Sequence, residues 1–126
     1  MKLLLDTQAM IWWFNDDPRL GPRARALISD TRSTVWVSVA SFWETSIKHR
    51  IGKLDDRGSE LMKEVVANGF GIIPIESEHL KALEQFEAVP GHNDPFDLLI
   101  LIQAKAIDAI LVTSDRQMRK YDVRCL

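Results

Sequence analysis

Five acidic residues of this chain stand where they can act together: Asp6, Glu44, Asp94, Asp97 and Asp115. Asp6 directly follows the apolar run Leu3-Leu4-Leu5, and Asp115 follows Leu111-Val112-Thr113-Ser114. An acid that ends a buried strand emerges at the carboxyl edge of its sheet, which is where open α/β folds bind ligands. Glu44 falls in the first turns of a segment of helical periodicity after a second apolar run, so its side chain reaches back toward the same edge. Asp94 and Asp97 lie three apart around Pro95, a residue type favoured at the first helical position, and so share one turn. Each acid alone also fits a plainer role. Asp6, Asp94 and Asp115 suit helix N-caps, Asp97 suits the positive end of a helix dipole, and Ser41 with Glu44 has capping-box spacing. Capping, however, does not require acids from four separate crossovers to face one edge. Carboxylates gathered this way repel one another unless protonated or neutralised, and an all-oxygen donor set suits a hard divalent cation, Mg²⁺ or Mn²⁺. Zinc is not indicated, because Cys125 stands alone and His49, His79 and His92 show no metal-ligand spacing.

Elements of two kinds must position these acids. Leu3–Leu5, Val35–Val39, Ile72–Ile75 and Ile110–Thr113 have the unbroken apolar character of parallel strands covered on both faces. Between them run amphipathic stretches at about residues 7–14, 22–30, 40–50, 59–68, 77–87, 95–107 and 115–120, each expected as a helix. Strands separated by helical crossovers predict an α/β fold, a three-layer α/β/α sandwich around a parallel sheet of four or five strands. Pro18, Gly21-Pro22, Gly52, Gly58, Gly69, Gly71 and Pro90-Gly91 punctuate the boundaries without any long linker, so residues 1–126 are expected to form one domain.

Composition narrows the function classes. Sixteen Lys and Arg against eighteen Asp and Glu give a net charge of −2, which is not the balance of a protein that grips nucleic acid by charge alone. Bound divalent cations would reverse that sign, so the objection depends on where the acids sit. A single cysteine rules out an intrachain disulfide, and the apolar runs are too short for a membrane span; the cytoplasm is the expected compartment.

The opening Leu3-Leu4-Leu5-Asp6-Thr7, the segment Ser41-Phe42-Trp43-Glu44, the motif Asp94-Pro95-Phe96-Asp97 and the strand end Thr113-Ser114-Asp115 together resemble the PIN domain of VapC-type toxins, in the same order over nearly the whole chain. That resemblance implies an acidic quartet of Asp6, Glu44, Asp97 and Asp115 with Asp94 as a companion, Asp6 and Asp97 being the most direct metal ligands. It further implies Mg²⁺-dependent endoribonuclease activity, with Mn²⁺ able to substitute. An antitoxin partner and a homodimer or dimer of dimers are also implied. Gln8 and Leu98 depart from the family pattern, where His and Arg are frequent. On this reading Asp6, Asp97 and Asp115 hold the cation that acidifies an attacking water, while Glu44 either holds a second ion or orients that water.

Lys48, His49, Arg50, Lys53 and Arg57 form one basic group, and Arg116, Arg119, Lys120 and Arg124 another. Lys48, Arg50, Arg116 and Arg119 are the candidate contacts to RNA phosphates; a solvated helix face is the alternative for each. The three histidines are expected to be surface or structural residues, His92 lying in a loop with no evident partner. Trp12-Trp13-Phe14 place too many rings in succession for one buried stripe, so at least one is expected at an interface. Trp43 is expected in the core with Phe42 and Ile47, and Leu61, Met62, Val65 and Val66 form a stripe suited to the sheet or to another protomer. Two other classes remain open: a catalytically silent PIN-fold binding module and an Mg²⁺-binding phosphoacceptor signalling domain. The latter wants an acid at the end of a central strand, whereas Ile72-Ile73-Pro74-Ile75 runs on into Glu76.

Overall fold

Alternation along β1 (Lys2–Leu5) shows how the layers arise. Leu3 and Leu5 belong to one buried cluster and Leu4 to another, because successive side chains of a strand point to opposite faces. The first cluster joins them to Val35 and Val37 of β2 (Thr34–Ser38) and to residues of α1 (Thr7–Phe14), α2 (Pro22–Ser29), α3 (Val39–Arg50) and α4 (Gly58–Ala67). The second joins Leu4 to Ile73 of β3 (Gly71–Ile73), to Leu111 of β4 (Ile110–Val112) and to Ile100, Leu101 and Ala104 of α6 (Pro95–Ala106). Helix α5 (Ser77–Glu84) precedes α6, and 3₁₀ turns occupy Pro18–Leu20 and Met118–Lys120. The computed structural model describes residues 1–126. No helix is long and apolar enough to cross a membrane.

All three strand pairings are parallel, in the order β3-β2-β1-β4, with Leu4 opposite both Trp36 and Leu111. The chain moves outward from β1 to β2 and β3, then returns across the sheet to β4 on the far side of β1. The strand order therefore reverses between β1 and β4, and a crevice opens beyond their carboxyl ends. Beside β4 the chain adds a rudimentary edge: Cys125 bridges Leu111 in parallel, and the Leu111 and Leu126 amides donate to Arg124 and Leu111 carbonyls, each at 2.8 Å.

Several local expectations change. Strand β2 stops at Ser38, whose side chain caps α3 by accepting from the Ala40 amide, so Ser41 and Glu44 are not a capping box. The expected helix over 115–120 is only the 3₁₀ turn Met118–Lys120, and α5 ends at Glu84. Trp43 is 59% exposed, with its ring edge-on to Phe96 at 5.2 Å. The reason is angular: at roughly 100° per residue, Glu44, Ser41, Thr45 and Phe42 span one arc, and residue 43 falls opposite it. None of Trp12, Trp13 and Phe14 is exposed, because Trp13 and Phe14 pack against Phe70 while the Arg19 and Arg25 guanidinium groups cover Trp12 and Trp13. Of the α4 stripe, Leu61, Met62 and Val65 dock on the core beneath the sheet and Val66 faces outward.

Helices α3 and α4 cross so closely at Gly58 that a side-chain carbon there would collide with the Phe42 carbonyl and the Ser46 hydroxyl. Because that carbonyl is fixed in α3, Gly58→Ala is expected to destabilise the fold by about 1–3 kcal/mol. A urea midpoint unchanged from that of the wild type would show that the crossing can relax.

Candidate functional site

At the β1/β4 crevice a pocket of about 340 Å³ has Asp6, Glu44, Asp94, Asp97 and Asp115 all on its walls. Lys48 is the only basic residue lining it. The capping roles and the convergence turn out to be compatible. Asp6 caps α1, accepting from the Ala9 amide at 2.7 Å, and its own amide donates to the Val112 carbonyl at 3.1 Å, which ties the ends of β1 and β4 together. Asp94 caps α6 by accepting from the Phe96 and Asp97 amides, and Asp97 follows in the first turn. Asp115 accepts from the Gln117 amide at 2.8 Å, in a tight turn whose amide at Asp115 donates to the Thr113 hydroxyl.

Glu44 is fixed from two sides. The Thr7 hydroxyl donates to its Oε1 at 2.6 Å, and the Lys48 ammonium, one turn further along α3, donates to its Oε2 at 2.8 Å. Thr7 also lies 3.0 Å from the Ser41 hydroxyl, so the start of α1 and the start of α3 are joined through buried oxygens. Glu44 in turn raises the affinity of Lys48 for its proton, since the ammonium gains a charged partner.

Burial dominates the electrostatics. Asp6 is 5% exposed, and this burial, reinforced by the charges of Asp97 and Asp115, raises its pKa to about 6 despite hydrogen bonding from Thr113 and Ala9. Asp97 is also pushed up, first by burial and then by Asp94, Asp115 and Glu44, while a hydrogen bond from His92 works in the other direction. Five carboxylates, a single ammonium and a deeply buried member with its charged form disfavoured make a donor set with a deficit of positive charge. Hard divalent cations satisfy such oxygen sets.

His92 is a structural residue, as expected, but it has two partners that its place in a loop does not reveal. It is 5% exposed, with Nε2 at 3.1 Å from Asp97 Oδ2 and Nδ1 at 2.9 Å from the Tyr121 hydroxyl. Ligating atoms of His92, Asp97 and Asp115 all lie within 4.8 Å of one another. Spacing rules search one element at a time, and His92 meets Tyr121 only through the fold. Thr7 was also missed as the partner of Glu44, although it stands next to Asp6 in the opening motif. Gln8 is exposed on the pocket wall, whereas Leu98 is half-buried and packs toward the core.

The basic residues divide. Lys48 is engaged by Glu44; Arg50 is exposed and off the pocket wall. Arg116 is exposed beside Asp115, and Arg119, also exposed, donates to the Thr113 carbonyl at 2.5 Å. Arg119 lines a second cavity of about 320 Å³ with Trp12 and Val112, and Ser114 is common to the two cavities.

Comparison with known proteins agrees with this architecture. The family model described as PIN domain matches residues 3–124. Among solved structures, the chain is similar to one of VapBC2 from Rickettsia felis bound to a DNA fragment from their promoter. That pair shares 19% identity at a TM-score of 0.69, over 100% of this chain and 98% of the other. VapBC-1 from nontypeable Haemophilus influenzae is similar at 16% identity and a TM-score of 0.64, covering 100% and 97% of the two chains. A toxin-antitoxin complex from Klebsiella pneumoniae is similar at 15% and 0.64, covering 98% and 95%. No curated protein sequence matches. With a family match that spans nearly its full length, and a sheet order that brings its acids to one crevice, the chain belongs to the PIN domain family.

Proposed function

We propose that this chain is a Mg²⁺-dependent endoribonuclease that serves as the toxin of a bacterial toxin–antitoxin pair. The observation that carries the reading is the pocket itself: five carboxylates from four parts of the chain, with one ammonium among them. Membership of the PIN family and likeness to solved VapBC structures and to a structure described as a toxin–antitoxin complex point the same way.

Asp6, Asp97 and Asp115 are the proposed ligands of Mg²⁺, with Mn²⁺ as a substitute and Asp94 at the rim. What such an ion supplies when bound is acidification of water and neutralisation of charge on a phosphodiester. The chain's own residues set the geometry. Asp6 is held by the Ala9 amide, Asp115 by the Gln117 amide and Asp97 by His92, so each carboxylate has one oxygen restrained. Glu44, locked between Thr7 and Lys48, is suited to orienting a water at the pocket floor. Arg116 and Arg119 are the proposed phosphate contacts, and an antitoxin is the proposed protein partner. A homodimer or dimer of dimers belongs to the same reading; the exposed Trp43 is the kind of surface aromatic that protein interfaces bury.

The test is cleavage of total cellular RNA by the purified protein with Mg²⁺, with Mn²⁺ and with chelator. Cutting that chelator abolishes supports the reading. Absence of cutting by folded protein under all three conditions favours a silent binding module. Arg116→Glu, alone and with Arg119→Glu, is expected to weaken RNA binding and to flatten its salt dependence by about one unit of log–log slope per lost contact. A slope identical to that of the wild type would return both arginines to the solvated surface.

A further inference from the structure

His92 and Tyr121 do not line the acidic pocket, yet buried His92 reaches Asp97 on its wall and half-buried Tyr121 reaches His92. Gly91, at φ 85°, lets the chain reverse after Pro90, and the His92 amide donates to the Val89 carbonyl at 3.1 Å, which turns the imidazole inward. Tyr121 arrives from the C-terminal segment, just past the 3₁₀ turn Met118–Lys120, and its ring stacks on Phe86 with centroids 5.4 Å apart. The segment that carries it is anchored a few residues later by the pairing of Cys125 with Leu111.

We propose that His92 and Tyr121 form a positioning relay that aims the Asp97 carboxylate into the metal pocket. This rests on the metal-centre reading given above and extends it to two residues outside the acidic set. The hydrogen bonds leave one consistent arrangement for a neutral imidazole. The Tyr121 hydroxyl accepts from the Val89 amide at 2.9 Å and keeps its one hydrogen for His92 Nδ1, 2.9 Å away. The imidazole proton then sits on Nε2 and is donated to Asp97 Oδ2 at 3.1 Å, since a carboxylate can only accept. With Oδ2 held, rotation of the Asp97 carboxylate is restrained and its other oxygen is left for the pocket. His92 could approach a cation directly only by giving up the bond to Asp97, and its burial leaves the ring little room to turn. Because Tyr121 follows β4 and His92 precedes α6, the relay also ties the C-terminal segment to the helix that carries Asp97.

Mn²⁺ binding, read as the free-ion paramagnetic resonance signal without any RNA, tests this on the intact protein. His92→Ala is expected to weaken Mn²⁺ about 10–100-fold, the usual effect of removing the group that orients a ligand. Tyr121→Phe keeps the ring on Phe86 but loses the hydroxyl, and is expected to weaken Mn²⁺ by about three- to tenfold. His92→Gln, whose amide can still donate to Asp97, should recover most of the loss. Unchanged affinity in His92→Ala, or equal loss in His92→Gln and His92→Ala, overturns the relay. So does a nitrogen modulation in the pulsed spectrum that marks His92 as a direct ligand. If His92→Ala does not fold, Tyr121→Phe decides alone, and wild-type affinity in it overturns the proposal. A wild-type protein that binds no Mn²⁺ removes the metal centre and the relay together, whereas binding that is indifferent to these substitutions removes the relay only.

Discussion

Asp97→Asn is expected to lower metal-dependent RNA cleavage at least about a thousandfold, a loss of about 4 kcal/mol of transition-state stabilisation. The size follows from what the substitution removes and what it keeps. Asp97 sits in the first turn of α6, where the backbone is fixed by the Asp94 cap, and its carboxylate meets only His92 among hydrogen-bonding side chains. Asparagine retains an oxygen that can accept from His92 Nε2, so the helix and the loop before it should survive. It loses the negative charge that a divalent cation needs from this corner of the pocket. Circular dichroism that matches the wild type and a urea midpoint no lower than its own, combined with lost cleavage and weakened Mn²⁺ binding, would assign the defect to chemistry. Cleavage within a few-fold of the wild type would exclude Asp97 as a ligand and take the quartet with it.

Asp6→Asn is expected to raise the stability of the metal-free protein. In the metal-free protein the pKa of Asp6 is raised from 3.8 to about 6, mainly by burial. Between these values the folded state holds a proton that the unfolded state releases, so this group's contribution to stability is full below pH 3.8 and is lost as pH rises through about 6. The displacement corresponds to an order-of-magnitude cost of about 3 kcal/mol at neutral pH. Asparagine has no charge to bury and can still accept from the Ala9 amide, which now bonds to Asp6 Oδ1. Metal-free Asp6→Asn is therefore expected to be about 1–3 kcal/mol more stable than the wild type at pH 7.5, with the gap closing toward pH 4. Mn²⁺ should stabilise the wild type and not the variant, since only a ligand that binds the folded state shifts unfolding. The same proton competes with the cation, so wild-type Mn²⁺ affinity should fall as pH drops through about 6. Urea midpoints for both proteins across this range check each expectation. A variant less stable than the wild type at pH 7.5, or a gap that does not change with pH, would mean that burial is not what holds Asp6 back from ionising.

Much of this was legible in the linear chain because it depends on short-range patterns. Four unbroken apolar runs specify buried parallel strands, since a strand covered on both faces needs no polar alternation. Helices α1, α2, α3, α4 and α6 lie within a residue of their expected bounds at every end; Pro22 and Pro95 start two of them and the cap residues are local. Asp6, Glu44 and Asp115 converge for the same reason: an acid just past the carboxyl end of a parallel strand, or in the first turns of the helix after it, can point to only one edge; Asp94 and Asp97 join them because α6 runs back to the start of β4, which leaves its N-terminus at that edge.

Other features depend on which surfaces meet. Trp43 reads as core because it is large and apolar, but the helix that carries it is oriented by the buried oxygens of Ser41, Thr45 and Glu44, and that orientation turns residue 43 outward. The Trp12-Trp13-Phe14 run is sheltered by Phe70 and by two arginines from other elements, which no local count of rings can reveal. His92 and Tyr121 are 29 residues apart and become partners only because the chain past β4 returns beside the loop before α6. The chain's own order of residues thus determined the fold class and the edge at which the acids gather, since both follow from periodicities of two and about 3.6 residues. Only the tertiary structure decided which carboxylate oxygens are held and by what, because a hydrogen bond between distant segments is set by how helices pack on the sheet.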